Sequence, residues 1–597
     1  METETLVKHK FIGSNEALAE IIPLLEKEQI ISLDTEGTHL DPHQAKLLLV
    51  QIATKNDVFV IAASKVELSA LKELLEADRP LKIAQNAKFD YAILKVKAGI
   101  SLGVLYDTML AERLLTNGVS REISLKTLAE KYLGIKLDKS VREGFTDPSN
   151  PAYRGKFSEE QLSYAAQDAQ ILLEIFKQQS KALEHEGLIE TAKLEFSVVP
   201  VVAEMEIRGS LIDQKKWRDH IAELESKRDE LNKDIQAELR AFAPYSQVDL
   251  FGNVSDAVNL DSPLQILEVF KKLGVEIPNT AEATLQKITH PLAKKLLEYR
   301  AHEKMITAFG ESILEKISPI TNRLHPDFIQ LGADTGRFAC NNPNLQQIPA
   351  DSGFRSCFIA TKGYKLITAD YSQIELRIMA EVSDDPVFLE AFNKDVDLHT
   401  LTASQMFRIP IEKVDKDKRF QAKSINFGLM YGRGPTSLST QIGLSVDESR
   451  KLLDVYFATY KGVKRWLDKV GKESVRVGYV RTLGGRKRLF VLPDKTDPEF
   501  QRLIGSIERQ GKNTPIQGTS ADITKYALVY IYREIKKRGF DAYPIHTVHD
   551  EIVVEAREDQ ADDVAKIVEE QMVAAGEKLL KKVPVKVDIH IANCWEK

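Results

Sequence analysis

The segment ISLDTEG sets Asp34 and Glu36 two residues apart in an otherwise apolar run, and this constrains the chain more than any other feature. Side chains two apart on a strand point to one face, so the two carboxylates stand side by side. Like charges so placed repel unless one is protonated or a cation is shared between them. By itself the pair fits a strand-end cap or a surface feature better than a cation site.

The surrounding sequence narrows the choice. Strands are predicted over Glu28–Glu36, Lys46–Ala53 and Val58–Ala62, and helices over Glu67–Leu75, Lys88–Ala98 and Ser158–Leu183. This pattern predicts a compact α/β domain ending near residue 188. NAKFDYAIL puts Asn86 and Asp90 on one helix, and YAAQD puts Tyr164 and Asp168 four apart on another. Four carboxylates and a phenol are what two-Mg²⁺ phosphodiester hydrolysis needs: the acids hold the cations and the phenol orients the attacking water.

A highly charged segment follows, in which Trp217, Ile221, Leu224, Leu231, Ile235 and Leu239 mark one apolar helical stripe. A second long helix is predicted from Pro291 to about Ile317, with turn-rich stretches between the two at Pro244–Asn253 and Asn259–Pro263. The pair reads as an arm. Farther on, KLITADYSQIELR begins as a strand and turns helical after Asp370, and VHDEIVVE places Asp550 and Glu551 at a turn between two β-rich runs. Each acid alone fits a turn residue. Two aspartates from separate strands can also hold the pair of Mg²⁺ ions, about 3.5–4 Å apart, of an in-line phosphoryl transfer. In KRFQAKSINFGLMYG, Arg419, Lys423, Phe427 and Tyr431 recur every four residues, so one helical face carries two cations and then two aromatics. Cations suit phosphates, and aromatics suit sugars and bases.

The net charge of −6 argues against a nucleic-acid protein, yet Lys461–Phe490 holds ten basic residues against two acidic ones, a local charge of +8. That window ends in GGRKR, read here as a flexible cationic loop suited to a polyanion. With 43% hydrophobic residues in 597, wholesale disorder is excluded and about four structural units are expected. Three cysteines, no apolar run of membrane-spanning length and an N-terminus without signal character predict a soluble cytoplasmic protein that engages no membrane.

DTE, NxKFDxxxL and YxxxD, in this order, resemble the proofreading 3′–5′ exonuclease of the DnaQ-like, ribonuclease-H-like class. The Asp370, Lys423 and Asp550 segments resemble the three signature motifs of family A DNA polymerases, with support from TGRFACNNPNLQQIP, DLHTLTA, GYVRTLGGRKR and ERQGKNTPIQGTSADI. The resemblance implies a multidomain α/β and α+β chain, a ribonuclease-H-like exonuclease domain followed by a right-hand polymerase. It places the exonuclease at 1–188, thumb at 189–324, palm at 325–405 and 513–597, and fingers at 406–512, with no 5′-nuclease domain.

The resemblance also implies roles. Asp34, Glu36, Asp90 and Asp168 would hold metal, and Tyr164 would position water. Asp370, Asp550 and the Tyr371 carbonyl would hold metal in the polymerase, with Glu551 as acidic support. Gln373, His399, Arg419, Lys423, Phe427 and Tyr431 would receive the nucleotide, Lys423 protonating the departing pyrophosphate, and Glu375 would exclude a ribose 2′-OH. Arg337, Arg509, Asn513, Gln517 and His549 would read the primer–template minor groove. Two Mg²⁺ per site, replaceable by Mn²⁺, with primer–template DNA and deoxynucleoside triphosphates as partners of a monomer, complete the expectation. Gln510, Gly511 and Lys512 stand where relatives often carry small apolar residues, and Cys340 where a serine is frequent. Two other readings are a relative that uses RNA as product or template, and a nuclease whose second half only binds DNA. Glu375 and Phe427 favour deoxynucleotides, and intact Asp370, Asp550 and Lys423 weigh against the second.

In the resemblance, a tyrosine at position 427 accompanies easy dideoxynucleotide use. Phe427→Tyr adds one hydroxyl where a dideoxynucleotide lacks its own, and one hydrogen bond to a charged triphosphate is worth about 1.5–3 kcal/mol, or roughly 10- to 150-fold. The ratio of kcat/KM for dideoxy- and deoxynucleotide, measured beside Asp34→Ala to silence degradation, is expected to rise by that factor. Equal ratios in both proteins would remove Phe427 from the sugar.

Overall fold

A computed structural model describes residues 8–138, 140–240, 247–248, 254–255, 257–350, 353–430, 432 and 434–596. Three apolar runs build the centre of the first sheet: β2 (Ile30–Gly37), β3 (Leu47–Ala53) and β4 (Val58–Ala62) are successive antiparallel neighbours. The strands β1 (Lys10–Ile12), β5 (Leu81–Ala84) and β6 (Leu105–Asp107) are too short to have shown a period, and they extend the sheet in parallel to the order β1-β4-β3-β2-β5-β6. Helix α1 (Ala87–Ala98) covers one face, burying Tyr91, Ile93 and Leu94 with Leu33, Val50 and Ile52. Helix α2 (Glu159–His185) starts at a complete Ser158–Gln161 capping box and covers the other, where Tyr164, Ala165 and Ala169 pack on Leu49, Ala53 and Val60.

Residue 188, the expected domain border, falls between α2 and α3 (Ile189–Arg208). Helix α3 is apolar on two sides. Ala192, Phe196, Val199 and Ala203 join the first domain's core, while Leu194, Val198, Val202 and Met205 join the main core. Within the segment 189–324 that the resemblance gives to the thumb, this helix packs against both cores. The arm itself is α4 (Gln214–Leu239) against α5 (Pro291–Phe309), with the Arg228–Glu303 and Lys295–Asp234 pairs setting them antiparallel. Its apolar stripe divides between two cores. Trp217, Ile221 and Leu224 enter the main core, and Ile235 and Leu239 meet Phe270, Leu292 and Leu296 at the tip. The stretch Pro244–Asn253 lies largely outside the described residues.

The second half is organised by β7 (Tyr364–Tyr371), followed by α6 (Ile374–Ser383), α7 (Leu398–Phe407), α8 (Lys416–Met430) and α9 (Lys461–Val477). A hairpin of β8 (Tyr479–Arg481) and β9 (Lys487–Leu489) leads to α10 (Phe500–Arg538), a continuous helix of 39 residues. The border expected at 512/513 lies inside α10, because Pro515 does not end the helix. Then β10 (Ala542–Val548), β11 (Glu551–Arg557), α11 (Ala561–Leu579) and β12 (Val587–Ala592) complete an antiparallel sheet of order β10-β11-β7-β12.

Two departures from the family pattern are explained by packing. A Cβ on Gly511 would stand 2.0 Å from Ser474 Oγ, so close contact of α9 with α10 requires glycine there. Cys340 is buried, its Sγ donating to Pro343 O at 3.3 Å and its thiol pushed up to about 12 by burial.

The GGRKR turn departs from its expected role. Arg486 is 1% exposed at its side chain and lies between Glu195 of α3 and Asp522 of α10, 2.7 Å from the latter. Lys525 Nζ reaches the same Glu195 at 2.7 Å and donates to Gln330 O at 2.9 Å. Lys487 pairs with Glu186 at the end of α2, and Leu489 N donates to Asn117 O. The turn is therefore a clamp between the halves, with Arg486 and Lys487 engaged by internal partners. Burial works against the charge on Glu195, but Lys525 and Arg486 outweigh it and hold its carboxyl below the ordinary value. Removing one member of such a cluster strands the others unpaired. Glu195→Ala is expected to cost about 3–5 kcal/mol in urea unfolding, whereas Lys193→Ala, at an exposed ion pair of the same helix, should cost under about 1 kcal/mol. Equal midpoints for the two variants would refute the clamp.

Candidate functional site

Two separate acidic sites emerge, one on each sheet. In the first, Asp34 and Glu36 project from β2 toward α2, where Ser32 Oγ donates to Ala169 O at 2.6 Å. Carboxylate oxygens of Asp34, Glu36 and Asp168 all lie within 4.8 Å of one another. Tyr164, one turn before Asp168, has its phenol raised by burial and then by Asp168, Glu36 and Asp34. Asp90 stands apart from that trio. Its Oδ1 accepts from Thr35 Oγ1 at 2.6 Å, and burial, with Asp34 adding, pushes its carboxyl well above the usual range. An all-carboxylate donor set is hard and suits Mg²⁺ or Mn²⁺.

In the second, Asp370 is the penultimate residue of β7, and Asp550 occupies the turn between β10 and β11. Tyr371 N donates to Asp550 O at 3.4 Å, which ties the turn to the strand end. Burial first, then Asp370 and Glu375 opposed by Arg337, bring the Asp550 carboxyl up to about 7. Glu375, in the first turn of α6, is paired with Arg337. The Tyr371 hydroxyl donates to Met572 O at 2.7 Å, so this residue can face a cation only through its backbone.

Glu551, expected as acidic support beside the two aspartates, is engaged by other partners. Its carboxylate accepts from Arg355 Nη1 at 3.1 and 3.2 Å and from Trp595 Nε1 at 2.6 Å, in a buried site. It buttresses the start of β11 immediately after Asp550. Direct cross-strand pairing with Asp370 put it near the site; the neighbouring guanidinium and indole claimed its charge.

Helix α8 carries Arg419, Lys423 and Phe427 on one face, as the spacing predicts, while Tyr431 lies outside the described residues. Arg419 Nε donates to Asp397 Oδ2 at 2.6 Å. The His399 and Phe427 rings are 5.7 Å apart. Burial pushes the His399 imidazole down to about 4, with Asp397 opposing and Arg419 and Lys423 adding to the fall. Arg509, Asn513 and Gln517 recur every four residues on α10, and His549 is exposed in the Asp550 turn. Buried oxygens of Gln373 and Asn513 (Oε1 and Oδ1) have no hydrogen-bond partner among the described residues, and both point to a ligand or water.

Sequence reasoning missed several residues. Asp107 caps both α1 and the following helix, receiving Ala87 N at 2.8 Å and Met109 N at 2.8 Å; an Asp before Thr was the available signal. Gln51 lies across the strand from Asp34, fully buried, and nothing in LLLVQIA marks it. Asn426, buried in α8, donates to His399 Nδ1 at 3.1 Å.

The family described as DNA polymerase family A matches residues 220–597, and the 3′–5′ exonuclease family matches residues 10–184. DNA polymerase I of Pseudomonas aeruginosa is 34% identical over 96% of this chain, and that of Aquifex aeolicus 31% over 98%. The chain spans 64% of the former's length and 99% of the latter's; for the Chloroflexus aurantiacus relative the share is 62%. A solved structure described as the POL domain of Pol1 from M. smegmatis in complex with DNA primer-template and dNTP superposes with a TM-score of 0.84 at 27% identity, covering 98% of this chain and 99% of that one. No helix among the described residues is long and apolar enough to cross a membrane.

A cation entering between Asp370 and Asp550 requires the ionised Asp550. Below about pH 7 this group holds a proton that must leave, so apparent affinity should fall by about tenfold per pH unit there and level off above. Calorimetric Mg²⁺ titration of Asp34→Asn, in buffers of different ionisation enthalpy, should show proton release at pH 6.5 that vanishes at pH 8.5 and in Asp550→Asn. Release unchanged by Asp550→Asn would assign the proton elsewhere.

Proposed function

The chain belongs to DNA polymerase family A, and on that premise we propose that it extends primer 3′ ends on a DNA template with deoxynucleoside triphosphates and removes mispaired ends by 3′–5′ hydrolysis. The observation that carries this reading is two acidic sites on two different sheets: Asp34, Glu36 and Asp168 with oxygens within 4.8 Å, and the Asp370–Asp550 pair. The described neighbour bound to primer-template and dNTP supports the choice of substrates.

In the polymerase site Asp370, Asp550 and the Tyr371 carbonyl would hold two Mg²⁺, or Mn²⁺, on the palm sheet. Metal bound there supplies Lewis-acid stabilisation of the charge on the attacking and leaving oxygens. The α8 face would receive the triphosphate. Arg419 would exchange Asp397 for phosphate, His399 would donate a hydrogen bond, and Lys423 would give its proton to departing pyrophosphate. Phe427 would meet the sugar beside Gln373, and the resemblance assigns Tyr431 to the base. Glu375, fixed by Arg337, would occupy the space a 2′-OH needs. Arg509, Asn513, Gln517 and His549 would meet the minor groove, whose acceptors are nearly sequence-independent.

In the exonuclease site Asp34, Glu36, Asp168 and Asp90 would hold a second pair of ions. Tyr164, its phenol kept neutral by burial and three carboxylates, would orient water toward the terminal phosphodiester. The working form would be a monomer.

Asp34→Ala is expected to lower degradation of single-stranded 3′ ends by at least about 100-fold while extension persists, and Asp550→Ala to do the reverse. Extension and degradation are measured on one labelled primer, with and without nucleotides. Loss of both activities in either folded variant would sink the two-site reading.

A further inference from the structure

Asn426 is fully buried on the inner side of α8. Its Nδ2 donates to His399 Nδ1 at 3.1 Å and to Thr402 Oγ1 at 3.2 Å, and Thr402 Oγ1 lies 2.9 Å from the Tyr460 hydroxyl. With Nδ2 toward the ring and Oδ1 accepting from Thr402 Oγ1 at 3.4 Å, the amide can only donate to Nδ1, and in a neutral imidazole so bonded the proton sits on Nε2. The ring is neutral at physiological pH, because burial, Arg419 and Lys423 outweigh Asp397. A triphosphate offers acceptors alone. The opposite tautomer would turn a lone pair toward it.

We propose that Asn426 is a positioning residue for the incoming triphosphate, fixing His399 as its Nε2–H tautomer so that the ring grips phosphate as a neutral donor. The proposal rests on the reading that His399 faces the triphosphate. It gives the buried polar chain Asn426–Thr402–Tyr460 a purpose that core packing does not, since an apolar residue would fill the same space without needing partners. It also removes the ring itself as a source of pH dependence around neutrality, with Asp397, Arg419 and Lys423 the charged groups facing it.

Two measurements test it. In the ¹⁵N-histidine-labelled protein, with His399 assigned by loss of its signal in His399→Gln, long-range ¹H–¹⁵N spectra should show a protonated Nε2 and a bare Nδ1. A protonated Nδ1 overturns the proposal without any Asn426 variant. In Asn426→Asp the carboxylate can only accept, which draws the proton to Nδ1 when the ring is neutral. On a primer with a phosphorothioate 3′ end, KM for the complementary nucleotide should rise roughly 10- to 100-fold at pH 9. It should recover toward pH 6.5, as the ring becomes imidazolium and regains its Nε2–H, with kcat changing less than KM. A structural defect would not produce that pH dependence. A folded Asn426→Asp protein with wild-type KM at every pH, while His399→Gln raises KM, overturns the proposal and leaves the role of His399 intact. No change in His399→Gln removes that role and the proposal with it.

Discussion

A cluster of four buried charges holds the two halves of the molecule in one arrangement. Glu195 on α3 receives both Arg486 from the hairpin turn and Lys525 from α10, and Asp522 closes the set on Arg486. Two positive and two negative groups leave no net charge in the interior, which is the condition under which such burial is tolerable. Apolar residues of similar volume could give comparable stability, but not the same directionality. Each pair fixes an orientation, so α3, the hairpin and α10 have one mutual position. Because α3 also packs on the core under the first sheet, the geometry between the two acidic sites is inherited from this cluster.

Each site concentrates like charge where burial makes charge costly, and the surrounding fold supplies the restraint. The first site sits on strand β2 under α2; the second sits where β7 ends against a turn. In both, non-glycine residues adopt left-handed backbone conformations next to the acids. Asn86 (φ 58°) begins α1 ahead of Asp90, Gln373 (φ 55°) begins α6 after Asp370, and His549 (φ 57°) precedes Asp550. Such conformations persist only where neighbours over-determine them. Here the restraints are Asp107 receiving the first amides of α1, Tyr371 N bonded to Asp550 O, and Glu551 anchored to Arg355 and Trp595.

Much of this was legible from spacing. Short apolar runs located β2, β3 and β4; the four-residue recurrence of Arg419, Lys423 and Phe427 located the α8 face; and the acids of both sites were read individually from short segments. What was misread shared one cause. GGRKR has the composition of a solvated cationic loop, and its glycines and charges are the same whether it meets nucleic acid or Glu195. Likewise nothing near Glu551 in the sequence shows that Arg355, nearly 200 residues earlier in the chain, is brought against it.

The sequence by itself determined the elements and the identity of the chemical groups, because helix and strand periodicity and acid spacing are local properties of the chain. It did not determine which charges would be consumed internally. Arg486, Lys487, Glu551 and Asn426 acquire their partners across sequence separations that no period records, and a side chain's protonation state depends on what surrounds it after folding. The tertiary structure alone decided that Asp550 sits near neutrality, that His399 is uncharged, and that α3 serves both cores. Burial and charge–charge distance set those outcomes, and neither exists until distant segments meet.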